Sequence, residues 1–205
     1  MSKVYKCKSL EVPEMRYGDP QKGPGRSGYY VVCENRERRR DLLFQTTVLE
    51  LMSDMDPGSD EVELAVVSES PMHGFFDIMS QEHIKKAIDA KEQWFPGKNV
   101  SDEVLPDLWK QTVSKGRLRL KLGDDEEEPL MLFDRNKTEA LPESFKKGTR
   151  VVVLMRLEGL WFSKAALGES YTLVQMMKHD AEPVKPERIK ECALDLDASD
   201  PEPSN

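Results

Sequence analysis

Apolar side chains recur at every second position through most of this chain, in short runs separated by glycine and proline. The clearest run is 116–122 (GRLRLKL). Leu118, Leu120 and Leu122 fall on one side and Arg117, Arg119 and Lys121 on the other, the pattern of a strand with one buried face. The same reading gives strands near 4–8 and 29–33, with the proline- and glycine-rich stretch 9–28 as a long loop between them. Residues 42–51 (LLFQTTVLEL), rich in apolar and β-branched side chains, form another. After the Asp56-Pro57-Gly58 turn, 61–67 returns with Val62, Leu64 and Val66 alternating. Further strands fall at 130–133, 150–157, 160–163 and 170–178, with breaks at Glu158-Gly159 and at the Ala-Ala-Leu-Gly stretch 165–168.

Between about 79 and 114 the period becomes helical. Ser80 is placed to cap a helix carrying Ile84, Ala87 and Ile88, with Trp94 and Phe95 at its end and Pro96-Gly97 stopping it. Ser101 starts a second helical piece whose apolar positions are Val104, Leu105, Leu108, Trp109 and Val113, with Pro106 near its first turn. Seven or eight short strands around one helical insert predict a mainly β fold, an OB-fold-like antiparallel barrel. One domain is expected over 1–179. The tail, 180–205, is acidic and contains Pro183, Pro186, Pro201 and Pro203, which predicts disorder.

Charge changes the picture twice. The chain carries 30 basic and 38 acidic residues, a net of −8, which speaks against a nucleic-acid binder. Resolved by position, the tail contributes −5 and the run Asp124-Asp125-Glu126-Glu127-Glu128 another −5, so the remainder is +2. Residues 41–82 hold ten acids and no Lys or Arg, so the bases gather elsewhere: at 36–40, 117–121 and 146–156. The average therefore misleads.

No apolar run approaches the roughly 20 residues of a membrane helix, so no membrane partner is expected. The first residues lack the apolar core of a signal peptide. Cys7, Cys33 and Cys192 are far apart and odd in number, which predicts reduced thiols in an intracellular protein.

Enzymatic motifs are missing: no glycine-rich phosphate loop, no G-x-S-x-G, no H-E-x-x-H, no C-x-x-C. His73, His83 and His179 are isolated, and neither catalysis nor a metal or other cofactor is expected. What the chain does offer is cations beside aromatics. Single-stranded nucleic acid needs both, because cations hold the phosphates and aromatic rings stack the bases. The candidate cations are Arg38, Arg39, Arg40, Arg117, Arg119, Lys121, Lys146, Lys147, Arg150, Arg156 and Lys164. The candidate stacking residues are Phe44, Trp161 and Tyr171, with Tyr29, Tyr30 and Phe162 nearby. Strand alternation sends the two members of each pair, Tyr29/Tyr30 and Trp161/Phe162, to opposite faces, one toward the core and one outward.

One order of motifs resembles a known family: Leu42-Leu43-Phe44-Gln45-Thr46 opening a strand, a helical insert with Trp94-Phe95, and the Leu/Arg strand at 117–122. Gly148-Thr-Arg-Val-Val-Val, Leu160-Trp161-Phe162 and Tyr171-Thr-Leu-Val-Gln175 follow. Over about residues 29–178 the chain resembles the OB-fold single-stranded-DNA-binding proteins of large nucleocytoplasmic DNA viruses. These are related in turn to phage replication proteins that coat single strands. The resemblance implies sequence-independent binding of single-stranded DNA in viral DNA replication, recombination or repair, in the host cytoplasm or nucleus where viral DNA is copied. It also implies replication proteins as partners of the acidic tail. In the phage relatives such a tail ends in an aromatic; here it ends Pro-Ser-Asn. Assembly into a homo-oligomer is left open. The alternative reading is a non-enzymatic β-barrel adaptor or virion protein that binds protein partners through its acidic segments.

Overall fold

The computed structural model describes residues 3–22, 28–37, 41–56, 58–97, 100–123, 129–163 and 165–179. Its strands are β1 (Val4–Lys6), β2 (Met15–Tyr17), β3 (Gln21–Lys22), β4 (Tyr29–Asn35), β5 (Leu42–Gln45), β6 (Leu49–Leu51), β7 (Glu61–Ala65), β8 (Trp109–Lys110), β9 (Val113–Ser114), β10 (Arg117–Leu122), β11 (Met131–Phe133), β12 (Arg150–Phe162) and β13 (Leu167–Lys178). Three helices, α1 (Pro71–Asp89), α2 (Lys91–Trp94) and α3 (Val104–Leu108), lie between β7 and β8.

The fold is mainly β and OB-like, and its frame is the antiparallel pair β12–β13. β13 runs parallel to β10, β10 antiparallel to β7, β7 antiparallel to β6, and β6 returns to β12. That circuit closes a five-stranded barrel, which removes the unpaired edges an open sheet would leave. β5 and β4 extend the sheet along the other edge of β12, and β1 runs parallel beside β5. The sheet is therefore mixed, with β8 and β11 also parallel to β13, where alternation alone suggested antiparallel pairing throughout.

The interior follows from period two. Val151, Val153, Met155 and Leu157 of β12 point inward, as do Leu118 and Leu120 of β10 and Leu64 of β7. Over the barrel lies α1, whose buried positions Met72, Phe75, Phe76, Met79, His83 and Ala87 recur every three or four residues. Phe75 packs on Phe44 with ring centres 5.3 Å apart, and Phe76 on Tyr171 at 5.6 Å. The helix begins ten residues before the Ser80 cap read from sequence. Ser70 accepts from the Met72 amide at 3.3 Å and Pro71 occupies the first helical position, a stronger start signal, so Ser80 is buried mid-helix.

Four other boundaries move. Residues 9–28 are not all loop, because β2 and β3 pair with β4. The run 42–51 is two strands, separated where Thr46 turns onto β12: its amide donates to Val153 O at 3.0 Å and its hydroxyl accepts from the Val153 amide at 3.1 Å. Trp109 and Val113 stand in short strands, not in a helix. The predicted break at Glu158-Gly159 lies within one strand. Leu157 pairs with Tyr171 and Gly159 with Ser170, so Glu158 is the extra residue of a β-bulge. Only glycine fits at 159, since a Cβ there would stand 2.0 Å from Val31 O. Among the described residues no helix is long and apolar enough to cross a membrane. Cys7 and Cys33 are buried free thiols, and burial pushes the Cys7 thiol up to about 12.

Candidate nucleic-acid interface

β4 and β12 pair so that Trp161 faces Tyr30 and Phe162 faces Tyr29. Alternation sends Phe162 inward, against Trp94 at 5.4 Å and Phe95 at 5.3 Å. It leaves Trp161 and Tyr30 half-buried on the outer face of the sheet. Tyr29, at the strand end, is exposed, so neither tyrosine of that pair joins the core.

Two glycines let the outer rings settle onto the sheet. Gly168 stands opposite Trp161 on β13, and a Cβ there would lie 3.0 Å from the indole. A Cβ on Gly159 would lie 3.1 Å from the Tyr30 ring. Both rings press on backbone that carries no side chain and keep part of their surface open to solvent. The indole Nε1–H donates to the Glu169 backbone oxygen at 3.1 Å, which fixes the Trp161 rotamer. Such a ring loses little freedom when a base stacks on it.

An exposed cation flanks this pair of rings: Lys110 stands opposite Gly168, in the same cross-strand row as Trp161. Lys22 stands opposite Tyr29, in the row of the inward Phe162, so alternation turns it to the other side of the sheet. Arg156 shares the outer face and donates from Nε to Glu158 Oε1 at 2.8 Å. The Tyr30 phenol is pushed up from its ordinary value, first by burial and then by the Glu158 carboxylate, while Arg156 acts in the opposite direction.

A buried polar network lies behind Trp161. The Thr112 hydroxyl donates to Glu169 Oε2, and His83 Nε2 lies 3.5 Å from Glu169 Oε1. His83 Nδ1 meets the Tyr17 hydroxyl at 2.9 Å. Desolvation pushes Glu169 up to about 7 and His83 down to about 3. At mildly acidic pH both are neutral, so their contact is not an ion pair, and among the described residues neither facing atom has a hydrogen-bond partner.

The other predicted cations are dispersed. Lys121, Thr172, Arg156 and Leu43 form one cross-strand row on β10, β13, β12 and β5. Arg119 binds Glu63 at 2.6 Å, Arg117 approaches the same carboxylate at 3.9 Å, and Lys121 stands opposite Glu61. Lys146 Nζ is 3.1 Å from Asp54 Oδ2, and the Lys147 amide donates to Oδ1 at 2.9 Å. The Lys147 amide and then the Lys146 side chain hold the Asp54 carboxyl low. Arg150 stands opposite Glu50 at the start of β12, eleven residues from Trp161. At 3.3 Å per residue that is up to about 36 Å away. Arg38, Arg39, Arg40, Lys164, the acidic run 124–128 and the tail 180–205 lie outside the described residues.

Two aromatic candidates need correction. Phe44 is buried, with Tyr5, Phe75 and Tyr171 around it at 5.9, 5.3 and 6.3 Å, and Tyr171 is buried beside it. Phe44 pairs with Met155 and Tyr171 with Leu157, both inward positions of β12, so neither ring can meet a base. Sequence reasoning missed Lys110 and Glu158. Lys110 fell in a stretch read as helix, and Glu158 at a supposed strand break. The pairing of His83 with Glu169 joins positions 86 residues apart and left no sequence signal.

A family model described as a family of unknown function, DUF5871, matches residues 50–193, well over half of the chain. The chain belongs to this family. No curated protein matches it. Among solved structures it is similar to the single-stranded DNA-binding protein from bacteriophage Enc34 in complex with ssDNA. The identity is 12%, the TM-score 0.43, and the match covers 81% of this chain and 97% of that one. It is also similar to gp2.5, a single-stranded DNA-binding protein encoded by bacteriophage T7, at 12% identity and TM-score 0.45, covering 73% of this chain and 98% of that one. Likeness at this level says nothing of the site, and the case for the site is made by the residues above.

Proposed function

We propose that this DUF5871 protein binds single-stranded DNA without enzymatic activity, stacking a base on Trp161 and Tyr30 while Lys110 and neighbouring cations hold the flanking phosphates. The observation that carries this reading is the pair of partly exposed aromatic rings seated on Gly168 and Gly159, with Trp161 pinned by the Glu169 backbone oxygen. Base–aromatic stacking is worth about 1–3 kcal/mol per base and tolerates any sequence, because every base has a π-face. The role that goes with it is coating exposed strands in viral DNA replication, recombination or repair, inside the infected cell. The adaptor reading draws no comparable support. Glu63 and Asp54, within its acidic segment, are held by Arg117, Arg119, Lys146 and Lys147.

Trp94 and Trp109 are buried, so a change in tryptophan emission on adding oligo-dT reports on Trp161. With three to five phosphate contacts, log affinity should fall against log salt with a slope of about −2 to −3.5. Unchanged emission, or an affinity indifferent to salt, defeats the proposal.

A further inference from the structure

Beside the Tyr30–Trp161 pair stands a carboxylate that stacking does not require. Glu158 is the extra residue of the β12 bulge, and bulges commonly re-aim a side chain at a site. Here the bulge leaves Glu158 half-exposed on the outer face, close enough to Tyr30 for its charge to act on the phenol. Arg156 holds it by donating to Oε1 at 2.8 Å. Among the described residues Oε2 accepts no hydrogen bond, and Oε1 keeps a second lone pair.

An oriented carboxylate repels phosphate and accepts only from N–H or O–H donors. A base lying on Trp161 and Tyr30 would bring its edge to that carboxylate. Thymine offers one donor, N3–H, between two carbonyl oxygens that a carboxylate repels. Adenine and cytosine each offer an amino group next to a bare ring nitrogen. Guanine offers two parallel donors, N1–H and N2–H, at the spacing of two carboxylate oxygens. We propose that Glu158, oriented by Arg156, selects guanine at the nucleotide stacked on Tyr30 and Trp161. The inference rests on the single-stranded-DNA reading and adds one preferred position to a surface otherwise indifferent to sequence.

The test is a titration of the full chain, followed by Trp161 emission, with three strands of equal length: all thymine, thymine alternating with guanine, and thymine alternating with adenine. Alternation avoids guanine runs that self-associate. The guanine strand should bind about tenfold tighter than the thymine strand, the lower part of the range for a bidentate base contact. The adenine strand, which stacks as a purine but lacks the paired donors, should gain little. Glu158→Gln should erase the guanine preference while keeping binding to all three. Arg156→Lys, which loosens the carboxylate without changing its charge, should reduce the preference. Equal affinity for guanine and adenine strands, or a preference that survives Glu158→Gln, overturns the inference and leaves the single-strand reading standing. Silent emission with every strand overturns that reading, and this inference with it.

Discussion

The outer face of the sheet carries two regions built on the same alternation. On β10, Arg117, Arg119 and Lys121 project from one side of the strand, a row of cations that looks ready for phosphate. The antiparallel neighbour β7 places Glu63 and Glu61 in register with Arg119 and Lys121, so the row is answered by the protein itself. On β12, Trp161 has Tyr30 on one side and Gly168 on the other, and its ring keeps part of its surface exposed. The difference lies in the cross-strand partner and not in the strand. A side chain becomes a site when the residue opposite leaves it unsatisfied.

The comparison can be broken at four points, taken from the largest expected effect to the smallest. Phe44→Ala should cost about 3–5 kcal/mol of stability, because it empties a site at the centre of the core. Denaturant unfolding measures this, and a stable variant with lost DNA affinity would put Phe44 back in the interface. Trp161→Ala should cost about 1–3 kcal/mol of affinity for oligo-dT, a loss of about 5- to 150-fold, with folding intact. A titration at fixed salt reads it, and an unchanged affinity would move the site elsewhere.

The third point concerns the support behind Trp161. Burial raises Glu169 from its ordinary value of 4.5 to about 7, so its contribution is complete below about 4.5 and is lost as pH rises through about 7. His83 has a folded value near 3, below 6.5, so its contribution is present above about 6.5 and is lost as pH falls toward 3. The two slopes oppose each other between about 4.5 and 6.5. Glu169→Gln removes one of them. Between pH 5.5 and 7.5 the native chain should lose about 2 kcal/mol relative to that variant, measured by denaturant unfolding at each pH. A difference that stays constant with pH would place the proton elsewhere. Last, replacing Arg117 and Arg119 with Ala should change stability by at most about 1 kcal/mol, as for exposed ion pairs, and should reduce DNA affinity less than Trp161→Ala does. A larger affinity loss in that titration would make β10 the principal contact surface.

How far the sequence could be read follows the same division. The β10 alternation is plain, and so are the mainly β architecture and the helical insert, because period two and period 3.6 are local signals. Local signals also separated Trp161 from Phe162. They could not separate Phe44 from Trp161, since both are aromatics on strands near cations. What distinguishes them is Met155 opposite one and Gly168 opposite the other, which is a matter of register across the sheet. The glycines at 159 and 168 read as strand breaks, yet they lie within β12 and β13 and admit the two rings. The helix start was misplaced for a smaller reason: two serines, 70 and 80, both suit a cap, and only the one followed by proline serves as one.

The central place of β12 has a consequence for the order in which the chain is made. β4, β5 and β6 all pair with β12, and Leu42 meets its partner Leu157 about 115 residues later in the chain. A ribosome adding 5–20 residues per second needs roughly 6–23 s to cover that distance. Throughout that interval β1, β2, β3 and β7 can pair with their neighbours, but Val31, Leu42, Phe44 and Leu49 lack β12, so the newborn chain presents these apolar positions to the cell before the strand that joins them exists. Whatever binds nascent apolar peptide has its longest opportunity here, and a pause in translation before residue 150 would lengthen it.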